Sequence, residues 1–272
     1  MGVNLSKEER VERINLRKQE VSDICLDKPN LVGLKSRTAV VLDFSWSMDT
    51  LYRNGTVQEA VEKFLPLALN FDDNGEMEFW IFDNGFHRLE NLTLDNFHGY
   101  VDKYILSNYN MGGTQFAPVM CDIKSRYVIE EPQNLPNYVI FITDGENSDT
   151  TRTTELIQEL SHYPIFFQFV GIGNCSFNYL QSLGDMTGRY VDNADFFSIS
   201  DMDSITYEQL LNEYPQWLCE QKVKDMIAEQ GTPEVLERAR AVSGAVSEYV
   251  MSTGNTDTTP KKKGLFSKLF GK

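Results

Sequence analysis

Two uncharged runs rich in β-branched and aromatic residues, Thr38-Ala39-Val40-Val41-Leu42 and Tyr138-Val139-Ile140-Phe141-Ile142-Thr143, each lead directly into an aspartate, Asp43 and Asp144. A strand that is apolar on both faces must be covered on both, which is the condition of parallel strands in α/β proteins. Segments with helical spacing alternate with these runs. The expected fold class is therefore α/β: a doubly wound, mostly parallel sheet with helices on both faces. In such sheets ligands bind outside the carboxyl ends of the strands, where strand order reverses, and both aspartates stand at carboxyl ends.

The remaining elements follow from local signals. Ser6-x-x-Glu9 is a capping box, and Val11, Ile14, Val21 and Ile24 share a face, so a helix is expected from about Ser6 to Cys25. Val57, Ala60, Val61, Phe64, Leu65 and Ala68 mark a second helix from Thr56, stopped by Asp72-Asp73-Asn74-Gly75. Glu76 to Asp83 reads as a strand. The Asp83-Asn84-Gly85 step turns it back, making Phe86 to Leu92 one antiparallel edge strand.

Gly112-Gly113 reads as a flexible loop, followed by a helix over Phe116 to Val128 with Pro118 in its first turn. A helix over Thr154 to Ser161, a strand over Ile165 to Val170, a turn at Gly171-Ile172-Gly173 and a short strand near Arg189 to Val191 come next. A closing helix is expected over Tyr207 to Gln230. The chain thus divides into an N-terminal helix and lead-in (1–35), a core domain (36–230), a helical extension (231–251), and a polar linker with a basic amphipathic tail (252–272).

A net charge of −15 over 272 residues argues against nucleic-acid binding, which needs clustered Lys and Arg. The start runs straight into Lys7-Glu8-Glu9-Arg10, so no secretory signal is expected, and no run is long and apolar enough to span a bilayer. Cys25, Cys121, Cys175 and Cys219 are too unevenly spaced for a zinc site or a disulfide framework. Reduced, mostly buried thiols in a cytoplasmic protein are expected. His87, His98 and His162 lie far from any nucleophile motif and are read as surface or core residues.

The candidate chemistry sits behind the first strand. Asp43-Phe44-Ser45-Trp46-Ser47 gathers one carboxylate and two hydroxyls in a turn; Gly112-Gly113-Thr114 adds a third hydroxyl and Thr143-Asp144-Gly145 a second carboxylate. These hard oxygen donors suit Mg²⁺, with Mn²⁺ or Ca²⁺ as further possibilities. Ser45, Ser47 and Thr114 would be neutral direct ligands and Asp43 and Asp144 nearby charges. The ion would then stay net positive, with a position open to a partner's carboxylate. Asp49, Glu146 and Asp149 are near enough in sequence to support the ligands from behind, but read better as solvated loop carboxylates, with Glu146 placed at the rim.

Those three segments resemble the metal-ion-dependent adhesion site of von Willebrand factor A (VWA) domains, and the resemblance runs from about Leu26 to Leu218. Longer stretches, including Leu51-Tyr52-Arg53-Asn54-Gly55-Thr56-Val57, Phe141-Ile142-Thr143-Asp144-Gly145-Glu146-Asn147-Ser148 and Phe167-Gln168-Phe169-Val170-Gly171-Ile172-Gly173, are similar to bacterial VWA proteins of tellurium-resistance and stress-response operons. The resemblance implies a non-enzymatic, cytoplasmic, metal-dependent module that binds a protein partner through the partner's acidic group. Many family members carry Gly between the two serines where this chain has Trp46, so Trp46, with Gly113 and Glu146, is assigned to a partner-binding rim.

Two further readings complete the set. Asp43 at a strand end also invites a Mg²⁺-dependent phosphatase-like hydrolase, but Ser45 stands where that motif needs its second aspartate. Neither a complete phosphate loop nor Gly-x-Gly-x-x-Gly is present. Residues 260–272 carry five lysines and no acid, so the rest of the chain alone carries −20. Leu265, Phe266, Leu269 and Phe270 would share one side of a helix there. This tail is expected to stay solvated, to lie on an anionic membrane, or to dock on a protein.

Overall fold

The computed structural model describes residues 5–173, 175–201 and 204–241. Helix α1 (Lys7–Asp27) opens on the expected capping box: Ser6 accepts from the Glu9 N–H, and Glu9 accepts in return from the Ser6 N–H. A six-stranded sheet follows, made of β1 (Arg37–Asp43), β2 (Glu78–Phe82), β3 (Phe86–Arg88), β4 (Asn137–Thr143), β5 (Ile165–Ile172) and β6 (Ala194–Ile199). Its order is β3-β2-β1-β4-β5-β6, with all neighbours parallel except the edge pair β2–β3. Strand order reverses between β1 and β4, and Asp43 and Asp144 stand at that switch point.

Alternation along each strand divides the core into two layers. Val40 and Leu42 of β1, with Tyr138, Ile140 and Ile142 of β4, face α1 and α3 (Thr56–Phe71). Ala39 and Val41, with Val139 and Phe141, face the other side, where α4 (Ala117–Lys124) and α5 (Thr150–Leu160) lie. Every residue of β1, β4 and β5 is buried, as expected for central parallel strands. Helix α1 is joined to α3 by Arg10 and Arg13, which donate to the fully buried Glu62 at 2.7 and 2.9 Å.

Several boundaries differ from expectation. The antiparallel strand ends at Arg88, and beyond it a bond from the Leu89 N–H to the Phe79 carbonyl at 2.9 Å and a bridge between Met77 and Leu92 continue the pairing. Helix α5 starts at Thr150, while the helix after Pro118 passes at Lys124 into a π turn over Ser125–Glu130. Gly171 and Ile172 belong to β5.

No strand forms at Arg189–Val191; the last strand is Ala194–Ile199. As an edge strand it is half exposed, so Asp195 and Ser198 weaken its apolar signal. The closing helix is three pieces: α7 (Tyr207–Leu210), α8 (Tyr214–Cys219) and α9 (Gln221–Glu229), after the four-residue α6 (Asn178–Gln181). Pro215 lacks an N–H and can only sit in a first turn, and Glu220 is extended, which separates α8 from α9.

Residues 233–241 are helical, with Val235 and Ala239 in the second layer. The expected continuation over 242–251, the linker and the basic tail lie outside the described residues. Among the described residues no helix is long and apolar enough to cross a membrane. All four cysteines are free. Only Cys25 and Cys121 are buried, whereas Cys175 is exposed and Cys219 half-buried, so "mostly buried" holds for half of them.

Candidate metal centre

Asp43 closes β1 with its carboxylate fully buried. One oxygen, Oδ1, accepts from the Ser45 N–H at 2.8 Å, and Oδ2 accepts from Thr143 Oγ1 at 2.6 Å. The Tyr52 hydroxyl, from the short helix α2 (Asp49–Arg53), donates to the Asp43 carbonyl at 2.9 Å. The chain then turns, bringing Ser45 Oγ within 3.0 Å of Ser47 Oγ, and Ser47 Oγ donates to Asp144 Oδ1 at 2.7 Å. Four expected residues, Asp43, Ser45, Ser47 and Asp144, are thus brought together across the switch point.

The third loop is fastened to the first through backbone. Trp46 N donates to the Gly112 carbonyl at 3.1 Å, and Gly112 N donates to the Phe44 carbonyl at 3.2 Å. The Thr114 carbonyl accepts from the Ser148 N–H at 3.0 Å and from Ser148 Oγ at 3.1 Å, tying this loop to the one after β4. Among the described residues no side-chain hydrogen bond links Thr114 to the other four. Its place in the cluster is one of backbone proximity.

The glycines serve close approach rather than the looseness expected of them. A Cβ on Gly112 would stand 2.6 Å from Asp83 Oδ2, and one on Gly113 would stand 2.2 Å from Asn84 Oδ1. A side chain at Gly112 would push the loop off the β2–β3 turn, and one at Gly113 would have to displace the Asn84 amide. Gly113 therefore acts on the site by seating it.

Electrostatics single the cluster out. Burial pushes the Asp43 carboxyl up to about 7, opposed by its hydrogen bonds from Ser45 and Thr143 and reinforced by the nearby Asp144 charge. Burial also raises Asp144, against the hydrogen bond from Ser47. Neither carboxylate has an ion-pair partner among the described residues. A buried acid and a half-buried one at a strand switch point, with hydroxyls between them and no cation beside them among the described residues, form an oxygen-rich place that a hard divalent ion fits. Among the described residues no three His, Cys, Asp or Glu side chains converge, so the donor set is carboxylate and hydroxyl rather than histidine or thiolate.

The rim is mixed in character. Trp46 is 67% exposed, its backbone fixed by Gly112 while its indole projects to solvent. Glu146 lies in the loop after β4, 3.4 Å from the Tyr179 N–H of α6. Asp49 pairs with Arg53 at 2.7 Å. Asp149, expected as a solvated loop carboxylate, is instead structural: it accepts from the N–H groups of Phe116 and Ala117 at 3.0 and 2.8 Å and from Asn147 Nδ2 at 2.7 Å. It caps the start of α4 and so holds the Thr114 loop from behind.

Sequence reasoning overlooked Tyr52 as a support, weighed Asp149 as one but preferred a solvated reading, and had Thr143 only as the neighbour of Asp144. Thr143 had a readable signal, a hydroxyl residue ending a buried strand. Asp149 had none, because its partners lie 32 and 33 positions away.

The vWA-TerF-like family, described as the vWA found in TerF C terminus, matches residues 35–227. YcbR of Bacillus subtilis (strain 168), itself named as uncharacterized, is 39% identical over 266 residues, which make up 95% of this chain and 99% of YcbR. Among solved structures, the SpRpn10 VWA domain is 14% identical at a TM-score of 0.48, with 73% of this chain and 96% of that one aligned. The mussel byssus protein PTMP1, solved with a zinc-occupied MIDAS motif, is 14% identical at a TM-score of 0.44. That alignment takes in 68% of this chain and 46% of PTMP1, so the chain spans about half of it. Likenesses of this degree carry nothing about function. The family match and the full-length likeness to YcbR together show that this chain belongs to the vWA-TerF-like family.

Proposed function

We propose that this chain is a metal-dependent protein-binding module. Membership of a vWA family supports an interaction role rather than catalysis. On this reading Asp43, Ser45, Ser47, Thr114 and Asp144 hold Mg²⁺, with Mn²⁺ or Ca²⁺ as substitutes. A protein partner supplies an acidic group, which the bound cation attracts. The observation that carries the reading is the hydrogen-bonded chain Ser45–Ser47–Asp144 beside a buried Asp43 that no cation neutralises among the described residues.

Each residue has a distinct part. Asp43 contributes charge and, through its bond from the Ser45 N–H, fixes the turn that presents both serines. Thr143 and Tyr52 orient Asp43 from behind. Trp46, exposed beside the serines, offers the partner an apolar surface, with Gly113 and Glu146 completing the rim. The cellular setting we propose is a cytoplasmic assembly of the tellurium-resistance or stress-response kind, supported by TerF in the family's description. No residue of the cluster is itself suited to reducing tellurite.

The phosphatase reading finds no support in the geometry. A nucleophilic Asp43 would need a free oxygen facing solvent, yet it is fully buried with both oxygens accepting hydrogen bonds. Pull-down from the native host, with Mg²⁺ and with chelator, tests the proposal. Capture should be Mg²⁺-dependent and lost in Asp43→Ala plus Ser45→Ala with the circular dichroism unchanged. Capture that persists in chelator overturns it, and Mg²⁺-dependent hydrolysis of a generic phosphate ester abolished by Asp43→Asn would install the phosphatase instead.

A further inference from the structure

A cleft of about 280 Å³ lies between edge strand β6 and helix α8, at the end of the sheet opposite the candidate metal centre. Its aromatic lining is Phe166 and Trp217, whose rings are 5.5 Å apart. Asp192, Asp195, Glu213 and Glu220 surround them. Asp192 pairs with Arg189, but the other three have no ion-pair partner among the described residues. The buried indole Nε1 of Trp217 also lacks an acceptor. Strong negative charge around an apolar lining calls for an occupant that is basic and apolar together.

Strand addition is not how this edge is filled. The Asn193 and Ile199 carbonyls bond to β5, so Phe196 turns its N–H to the open side, where Asp195 Oδ1 takes it at 2.8 Å. An edge blocked in this way admits side chains rather than a new strand.

The chain supplies such side chains itself. Lys261, Lys262, Lys263, Lys268 and Lys272 alternate with Leu265, Phe266, Leu269 and Phe270 in the last thirteen residues, while the rest of the chain carries −20. The last described helix leaves from the same end of the sheet. There Arg238 stands 5.4 Å over the Tyr163 ring, just ahead of β5, and Phe166 of β5 lines the cleft. Residues 242–259 then reach about 60 Å when extended and about 27 Å even as a helix, against a sheet about 24 Å across. A tether of this kind sets an effective concentration of about a millimolar, enough to populate a weak contact.

We propose that residues 260–272 dock in the cleft between β6 and α8 of their own chain, with lysines against Asp195, Glu213 and Glu220 and a Leu or Phe side chain on the Phe166–Trp217 lining. The contact is independent of the metal reading, since it lies at the other end of the strands. It covers the basic tail with the protein's own acidic surface, so a membrane or a second protein would have to displace it.

Hydrogen exchange of the full-length protein tests this. In wild type at low salt, residues 194–199 and 214–219 should exchange about tenfold more slowly than in a full-length variant with all five tail lysines changed to Glu, as expected for a few weak ion pairs acting together. That protection should vanish near 0.5 M salt, where the Debye length is roughly 4 Å. Glu213→Lys plus Glu220→Lys should lose it as well, and combining this pair with the tail variant should restore it. Equal exchange in wild type and the tail variant overturns the proposal, as does failure of the charge swap to restore protection. Protection that grows with protein concentration overturns it in favour of a second copy's tail. Protection that appears only on adding phosphatidylserine vesicles overturns it in favour of a membrane.

Discussion

Strand β1 begins at Arg37 and ends at Asp43, and its two ends treat buried charge in opposite ways. At the start, Arg37 donates to both oxygens of Glu78 at 2.9 and 3.0 Å and to the Glu131 carbonyl at 2.8 Å, while its guanidinium lies 4.4 Å over the Tyr127 ring. Arg126 closes the ring of charges by binding Glu78 and Glu131. Six residues later, Asp43 is more deeply buried and meets only neutral donors. A charge neutralised within the fold is structural, whereas the proposed function reads Asp43, which has no counter-ion among the described residues, as held ready for a cation. On the proposed function, the same strand carries an anchor at one end and a receptor at the other.

Breaking the closed end should have the largest effect. Glu78→Ala leaves Arg37 buried without its bidentate partner, and removing one member of a buried pair costs about 3–5 kcal/mol. Urea denaturation measures this; a loss below about 1 kcal/mol would show that the network is not an anchor.

The open end should behave in reverse. Asp43→Asn is expected to spare the fold and abolish stabilisation by Mg²⁺, which for wild type is about 2.7 kcal/mol at a hundredfold excess over Kd. In chelator the two proteins should also separate with pH. The folded-state value of about 7 lies above that of the unfolded chain, so this group's contribution is whole at low pH and is lost as pH rises through about 7. Wild type should therefore fall relative to the Asn variant between about pH 4 and 8, and thermal melts that run parallel across that range would show that Asp43 is not a buried, unneutralised acid.

Smaller effects sharpen the boundary between support and surface. Asp149→Ala removes the acceptor for the Phe116 and Ala117 N–H groups and should cost about 1–2 kcal/mol, as the loss of a helix cap does. It should also weaken Mg²⁺ stabilisation, because the Thr114 loop loses its backing. Trp46→Ala should change stability by less than about 0.5 kcal/mol, since its indole is mostly solvated. If partner capture is unaltered by that change, Trp46 is not part of the rim.

Legibility followed the range of the forces involved. The central strands β1 and β4 were readable because burial on both faces leaves only apolar residues to choose from, and Asp43 and Asp144 stand out by ending those runs. Strand β6 was misplaced because an edge strand, half exposed, tolerates Asp195 and Ser198. The closing helix was drawn whole because its apolar residues Leu210, Leu211, Tyr214 and Leu218 keep a helical spacing, while Pro215 and the extended Glu220 divide it. Gly112 and Gly113 looked like freedom. They are constraint, imposed by Asp83 and Asn84 of a turn that sequence distance hides.

By itself, then, the sequence determined the alternation of strands and helices, the aspartates at strand ends and the hydroxyls spaced to join them, because hydrophobic pattern and turn chemistry act over a few residues. Only the tertiary structure decided that β1 and β4 lie side by side at the reversal of strand order, which brings Ser47 to 2.7 Å from Asp144. It also made Asp149 a cap rather than a solvated loop carboxylate and placed an acidic cleft beside β6. Those outcomes depend on which strands pair and which charges find partners across the fold, and packing, not local propensity, selects both.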